Sequence, residues 1–167
     1  MSSAVLDAGP LIHLSELNAL DVLSDFEVLY VPPIVWDEVA QYQPIALKYA
    51  SLHIEKTERP FVNMGLARLS QMFSLDQGEI QSLAVMENYP GAIFLTDDSA
   101  ARLVAEQIGY QVHGTLGVLI RAVRKGSRSP SEALSILRNL QTNSTLHIRS
   151  SVLLDVIERL EKEWQIR

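Results

Sequence analysis

The run Ala92-Ile93-Phe94-Leu95 contains no polar residue, follows Pro90-Gly91, and is closed by Thr96 and two adjacent acids, Asp97 and Asp98. A strand with one face in water alternates polar and apolar residues. A short run without that alternation, bounded by turn residues, suits a strand buried on both faces of a parallel sheet. Ser99 to Ile108 then sets Leu103, Val104 and Ile108 at helical spacing, so the two carboxylates fall on a strand-to-helix turn. Open α/β sheets keep their chemistry outside the carboxyl ends of their strands.

The rest of the chain reads as more of the same alternation. Ala4 to Leu6 is a short strand stopped by Asp7, and Pro10 to Leu20 repeats Leu11, Leu14, Leu17 and Leu20 at helical intervals. Phe26 to Val31 is a second strand, and Pro32-Pro33 opens a helix carrying Trp36, Asp37, Glu38 and Val39. Gln41 to Phe73 shows little periodicity beyond a short strand at Leu52 to Ile54. Leu75 to Glu87 is helical, with the D-x-x-E spacing of a helix start at Asp76 and Glu79. Tyr110 to Val112 reads as one more strand, and His113-Gly114-Thr115 leads into a helix over Leu116 to Val123. Strands alternating with helices predict right-handed crossovers and a mostly parallel central sheet flanked by helices, a three-layer α/β fold. Beyond Gly126 the pattern is helical only. Ser129-Pro130-Ser131-Glu132 combines a cap, a proline at the first helical position and a Glu three after the cap, and a last helix carries Leu153, Val156 or Ile157, Leu160 and Trp164. The expected division is a domain over residues 1–126 with a C-terminal helical extension of the same domain over 127–167.

Because crossover helices run antiparallel to the strands, helix N-termini and strand carboxyl ends share one edge of such a sheet. Asp7, Asp97 and Asp98 end strands at that edge, and Glu38 and Glu79 lie in the early turns of helices that begin there. Carboxylates gathered this way repel, and at least one pKa should rise unless a cation intervenes. The chain has no cysteine. An oxygen-only donor set without a histidine cluster favours Mg²⁺ or Mn²⁺ over Zn²⁺. Each acid also suits a local role: Asp7, Asp76 and Asp97 or Asp98 as helix caps, Glu79 as the partner of Asp76 in a capping box, and Glu38 as a solvated helix residue. Asp76 best fits a cap alone. His13, His53 and His147 read as structural or exposed, and His113 as a local hydrogen-bonding residue near the edge.

A net charge of −6 is the wrong sign for binding nucleic acid by bulk electrostatics. Arg121, Arg124, Lys125 and Arg128 fall within eight residues, which reads as a solvated helix end with cations near its C-terminus. The absence of cysteine permits a reducing compartment, the N-terminus has no basic leader followed by an uninterrupted apolar run, and no stretch of 18 apolar residues predicts a membrane span. The expectation is a cytoplasmic protein with no membrane partner.

Four segments in order, VLDAGPLIHL, VPPIVWDEV, LDQGEIQSLAV and IFLTDDSAARLVAEQIGYQVHGTLGVLIRAVRKG, resemble the PIN-domain nucleases, specifically the prokaryotic VapC-like toxins with a GTLGVL segment. The resemblance runs from about Ala4 to Gly126. It implies a PIN-like fold and metal-dependent endoribonuclease activity, with Mg²⁺ or Mn²⁺ as cofactor and RNA as substrate. Carried across by position, it makes Asp7 the first acid, Glu38 the second, Glu79 the third and the Thr96-Asp97-Asp98 turn the fourth, with Thr96 or Ser99 near the scissile phosphate. The third acid of many such toxins is Asp where this chain has Glu79, and the doubled Asp97-Asp98 leaves the fourth ligand open between the two.

The resemblance also implies a small cognate antitoxin as partner, and the apolar residues of the C-terminal helices suit a homodimer. Two other folds that gather acids at a sheet edge fit less well. A receiver domain resembles an acidic pair after its first strand with a lysine after its last, whereas His113-Gly114-Thr115 stands in the lysine's place. A haloacid-dehalogenase phosphatase has D-x-D after its first strand, and Asp7-Ala8-Gly9 departs from it. The rival of another class is a PIN-like protein-binding module with weak or no catalysis.

Overall fold

The computed structural model describes residues 2–166. Five strands, β1 (Ser2–Leu6), β2 (Phe26–Val31), β3 (Ile54–Lys56), β4 (Ile93–Leu95) and β5 (Val112–His113), form one all-parallel sheet in the order β3-β2-β1-β4-β5. From β1 the chain steps outward to β2 and β3, then returns to place β4 on the other side of β1. The reversal of strand order therefore falls between β1 and β4, where a doubly wound sheet opens its crevice.

The two central strands are buried on both faces, which is why neither alternates in sequence. Ala4 and Leu6 face one hydrophobic cluster and Val5 the other; Ile93 and Leu95 face the first and Phe94 the second. The first cluster is filled by Leu11 and Leu14 of α1 (Ala8–Glu16), Val35 and Val39 of α2 (Pro33–Tyr42) and Val118 and Leu119 of α6 (Thr115–Arg124). Leu134 and Leu137 of α7 (Pro130–Arg138), Leu140 of α8 (Leu140–Asn143) and Leu153, Ile157 and Leu160 of α9 (Ser150–Glu163) enter that same cluster. The second is filled by Leu66 of α3 (Met64–Met72), Leu83, Val85 and Met86 of α4 (Gln77–Met86) and Val104 and Ala105 of α5 (Ser99–Ile108). The result is helices, sheet and helices in three layers, as the alternation predicts.

Several boundaries shift from the sequence reading, each for a local reason. α1 starts at Ala8 because the Asp7 carboxylate accepts from the Ala8 N–H, and it stops before Leu17 because Asn18 turns left-handed at φ 54°. Leu20 belongs instead to a separate 3-10 turn, Leu20–Leu23. β3 is Ile54–Lys56 rather than Leu52–Ile54, since Leu29 pairs with Ile54 and the edge strand leaves Glu55 and Lys56 in water. β5 is two residues at Val112–His113, paired with Phe94 and Leu95. The segment that showed little periodicity contains α3, capped by the Asn63 side chain, which accepts from Leu66 N at 2.8 Å.

The basic stretch divides: Arg124 and Lys125 are exposed as expected, but Arg121 and Arg128 are not. Arg121 pairs with Asp25 and lies 4.2 Å over the Phe26 ring, and Arg128 donates to both carboxylate oxygens of Asp21 at 3.1 and 2.5 Å. These two cations staple the end of α6 to the connection before β2 and are not a solvated face. No helix among the described residues is long and apolar enough to cross a membrane.

Candidate acidic site at the carboxyl edge of the sheet

Register decides which side chains meet at the crevice. Leu6 lies beside Leu95, and the next N–H, that of Asp7, donates to Leu95 O at 2.9 Å, so Asp7 and Thr96 leave the sheet side by side. The Thr96 hydroxyl is fully buried. It donates to Asp7 Oδ2 at 3.1 Å and accepts from the Asp98 N–H at 3.1 Å, bracing the ends of β1 and β4 against each other. Asp7 also accepts from Ala8 N at 2.9 Å and is 8% exposed.

α4 brings the second buried acid. Asp76 and Glu79 form a reciprocal capping box: Glu79 N donates to Asp76 Oδ1 at 2.8 Å and Asp76 N donates to Glu79 Oε2 at 2.9 Å. Gly78 packs between this box and β1, since a Cβ there would stand 3.3 Å from Asp76 Oδ1 and 3.6 Å from Asp7 Oδ1. Ser82, one turn on, is fully buried against β1, its hydroxyl 3.4 Å from Leu6 O. The helix that carries Glu79 is thus seated directly on the strand that carries Asp7.

The electrostatics follow from that seating. Burial pushes the Asp7 carboxyl up to about 7, the charges of Asp76 and Glu38 add to the rise, and the bonds from Ala8 N and Thr96 oppose it. Burial likewise raises Glu79 to about 7, with Asp76, Asp98 and Asp7 adding and the Asp76 N–H opposing. Glu38 is raised by partial burial and by Asp76. Five acids therefore feel one another: Asp7, Glu38, Asp76, Glu79 and Asp98. The cap role of Asp76 is real, yet it is also the acid that acts on Asp7, Glu38 and Glu79 alike. The edge argument that selects Glu79 applies equally to the cap three residues before it, and that is the sequence signal for Asp76.

The doubled aspartates diverge. Asp98 caps α5, accepting from Ala101 N at 2.8 Å through Oδ1. Asp97 turns the other way, its Oδ2 2.7 Å from His13 Nδ1 and 2.6 Å from the Thr115 hydroxyl, its Oδ1 accepting from Thr115 N at 2.6 Å. Burial pushes the Asp97 carboxyl up, but these bonds outweigh it and hold the group below the usual range. Gly114 is what lets the turn close, because a Cβ there would stand 2.7 Å from Asp97 Oδ1. Ser99, the first residue of α5, is exposed at the rim. Glu38 borders a cavity of about 480 Å³ that it shares with His13 and Tyr42.

Among the described residues, no three Asp, Glu or His side chains already converge closely enough to grip an ion. What fits a hard divalent cation is the chemistry of the donor set. All five groups present carboxylate oxygen, and a cation among them offsets both the burial that chiefly raises Asp7 and Glu79 and the repulsion that adds to it.

No curated protein matches the chain. A family model, DUF3368, described as a PIN domain, matches residues 3–162, so the chain belongs to the PIN-domain family.

Proposed function

We propose that this PIN domain is a metal-dependent endoribonuclease that hydrolyses RNA phosphodiester bonds, of the VapC-like toxin branch, acting in the cytoplasm and held in check by a small cognate antitoxin. The observation that carries the reading is the pair of buried acids Asp7 and Glu79, both raised to about 7, at the β1–β4 switch point and coupled to Glu38, Asp76 and Asp98. The family's nuclease fold supports it.

Asp7, Glu38, Glu79 and Asp98 are the residues that would hold Mg²⁺ or Mn²⁺, with Asp76 enriching the negative field. Bound there, such an ion supplies Lewis-acid polarisation of a phosphate and a water of lowered pKa. The chain's part is positioning. Thr96 and the Ala8 N–H fix both oxygens of Asp7, and the Asp76 N–H holds Glu79 Oε2, so these two carboxylates are held by the chain and the other donors would draw in around the ion. Asp97 acts at one remove: tied to His13 and Thr115, it locks the β4–α5 turn that presents Asp98 and Ser99. Ser99 is the exposed hydroxyl left to meet an RNA phosphate.

The test is cleavage of a labelled RNA with Mn²⁺, Mg²⁺ or EDTA, using wild type and Asp7→Asn. Cleavage that needs the metal and disappears in the variant is the expected result, and equal cleavage by both proteins overturns the site. The second reading, a protein-binding module with weak or no catalysis, draws on Phe61, Met64 and Met72, which are 83%, 70% and 76% exposed around α3. Those residues also suit a homodimer or an antitoxin, so metal-dependent cleavage, not complex formation, separates the two.

A further inference from the structure

Among the described residues three arginines are half-buried, Arg102, Arg121 and Arg128. The last two are spent on Asp25 and Asp21. Among the described residues, Arg102 has no carboxylate within 4 Å and no side-chain hydrogen bond, so its guanidinium, still reached by water, is left to take an anion. It lines a cavity of about 350 Å³ between the β5–α6 turn and the α8–α9 connection, together with Asp97, His113, His147, Leu116, Ile148 and Val152. Gly114 makes room for it: a Cβ there would lie 2.8 Å from Arg102 Nη2 and 2.7 Å from Asp97 Oδ1, so the guanidinium closes over bare backbone at the end of the acidic turn.

We propose that this cavity is a nucleotide subsite, in which Arg102 takes a backbone phosphate of the RNA strand and the base lies on Leu116, Ile148 and Val152. One unpaired cation, two imidazoles and an apolar wall match a phosphate joined to a flat, hydrogen-bonding base, and the Asp97 carboxylate in the same wall is already taken up by His13 and Thr115. The volume lies within the usual range for small-ligand pockets, roughly 300–1,000 Å³. Position supplies the rest. Arg102 N donates to Asp98 O at 3.0 Å in the first turn of α5, so the cation stands one helical turn from the acid edge. With a net charge of −6 and Arg121 and Arg128 already paired, an RNA strand entering that edge needs a local cation, and Arg102 is placed to be it. Burial and the charges of Arg121, Arg102 and Arg124 hold His113 below its usual pKa, consistent with a positive potential in this wall. The inference rests on reading the acid edge as a phosphodiester site, but it is tested without metal.

The experiment is a titration of ¹⁵N-labelled protein in EDTA with uridine, uridine 5′-monophosphate and a uridine trinucleotide, followed by amide shifts. Shifts at Gly114, Gly117 and Leu146 that are larger for the monophosphate than for uridine, and about ten-fold tighter binding of the trinucleotide, are expected. Arg102→Gln removes them, as does Val152→Glu, which sets a negative charge at the cavity mouth on a residue 48% exposed. No shift at these amides, or shifts unchanged in either folded variant, overturns the subsite; equal affinity for monophosphate and trinucleotide overturns the RNA strand as its occupant. Failure of metal-dependent cleavage with these shifts intact would remove the nuclease reading and leave the subsite standing.

Discussion

His13 Nδ1 lies 2.7 Å from Asp97 Oδ2, and this contact takes Asp97 out of the acid cluster that its neighbour Asp98 joins. A carboxylate only accepts, so His13 carries its proton on Nδ1, and Asp97 already receives the N–H and hydroxyl of Thr115. The pair stitches α1 to the β4–α5 turn and to the start of α6. In the proposed function Asp97 is accordingly a positioning residue.

Metal titration separates the two aspartates. A ligand that binds only the folded state raises stability with its concentration. In thermal unfolding across Mn²⁺, wild type should rise, Asp7→Asn should lose the rise, and Asp97→Asn should keep it while starting from a stability lower by about 1–3 kcal/mol for the broken buried network. A metal response lost equally in both would return Asp97 to the ligand set.

The metal-free protein should be most stable in weak acid. Asp7 rises from its ordinary 3.8 to about 7 on folding, so between those values the folded state holds a proton that the unfolded state has released. Stability then falls as pH rises through this window, by roughly 1.4 kcal/mol for each tenfold drop in proton concentration, and levels off above about 7. Glu79 acts in the same direction. Asp97, lowered on folding, acts in the opposite one, and its contribution is lost only as pH falls below the ordinary carboxylate range. Asp7→Asn should flatten the profile and raise metal-free stability at pH 7 by about 1–3 kcal/mol. Urea unfolding in EDTA between pH 4.5 and 8 reads both effects, and a wild type that gains stability over this range contradicts the burial of unpaired charge.

How much of this is legible in the sequence depends on range. Phe94 announces a doubly buried strand because its whole neighbourhood is apolar, and Asp76-x-x-Glu79 announces a capping box because both partners lie on one turn. That the acids share one edge follows from where they end strands and begin helices, but that β1 lies beside β4 is seen only in the sheet itself. The pairing of His13 with Asp97 and of Arg128 with Asp21 spans 84 and 107 residues, and no local pattern encodes such contacts. α3 escapes because its face is thin: Leu66 and Ser70 are buried while Met64 and Met72 are exposed, so apolar residues do not mark the inner side.

Two glycines make a paired test of close approach. A methyl at Gly114 would meet Asp97 Oδ1 at 2.7 Å, Arg102 Nη2 at 2.8 Å and the Thr96 carbonyl oxygen at 3.2 Å, whereas one at Gly91 meets nothing within 4 Å. Gly114→Ala should cost about 1–3 kcal/mol through forced displacement of the β4–α5 turn. Gly91→Ala should be neutral or stabilise by about 0.4–1 kcal/mol by restricting the unfolded chain. Chemical denaturation of both distinguishes a crowded turn from a merely flexible one; equal effects would show that the turn relaxes freely.

Asp76 holds two roles that substitution can pull apart. As the cap of α4 it accepts from Glu79 N, a task Ser performs nearly as well and Ala does not. As a charge it raises Asp7, Glu38 and Glu79, a task neither performs. Asp76→Ala should lose about 1 kcal/mol of helix capping relative to Asp76→Ser. Both should lower the pH at which metal-free stability levels off, because Asp7 and Glu79 lose a repelling neighbour, and both should weaken Mn²⁺ stabilisation several-fold by thinning the negative field. Metal-free stability at pH 7 compared across Asp, Ser and Ala at this position reads the two roles. If Asp76→Ser matches wild type both in its pH profile and in its Mn²⁺ response, the residue is a cap alone, and the acid cluster reduces to Asp7, Glu38, Glu79 and Asp98.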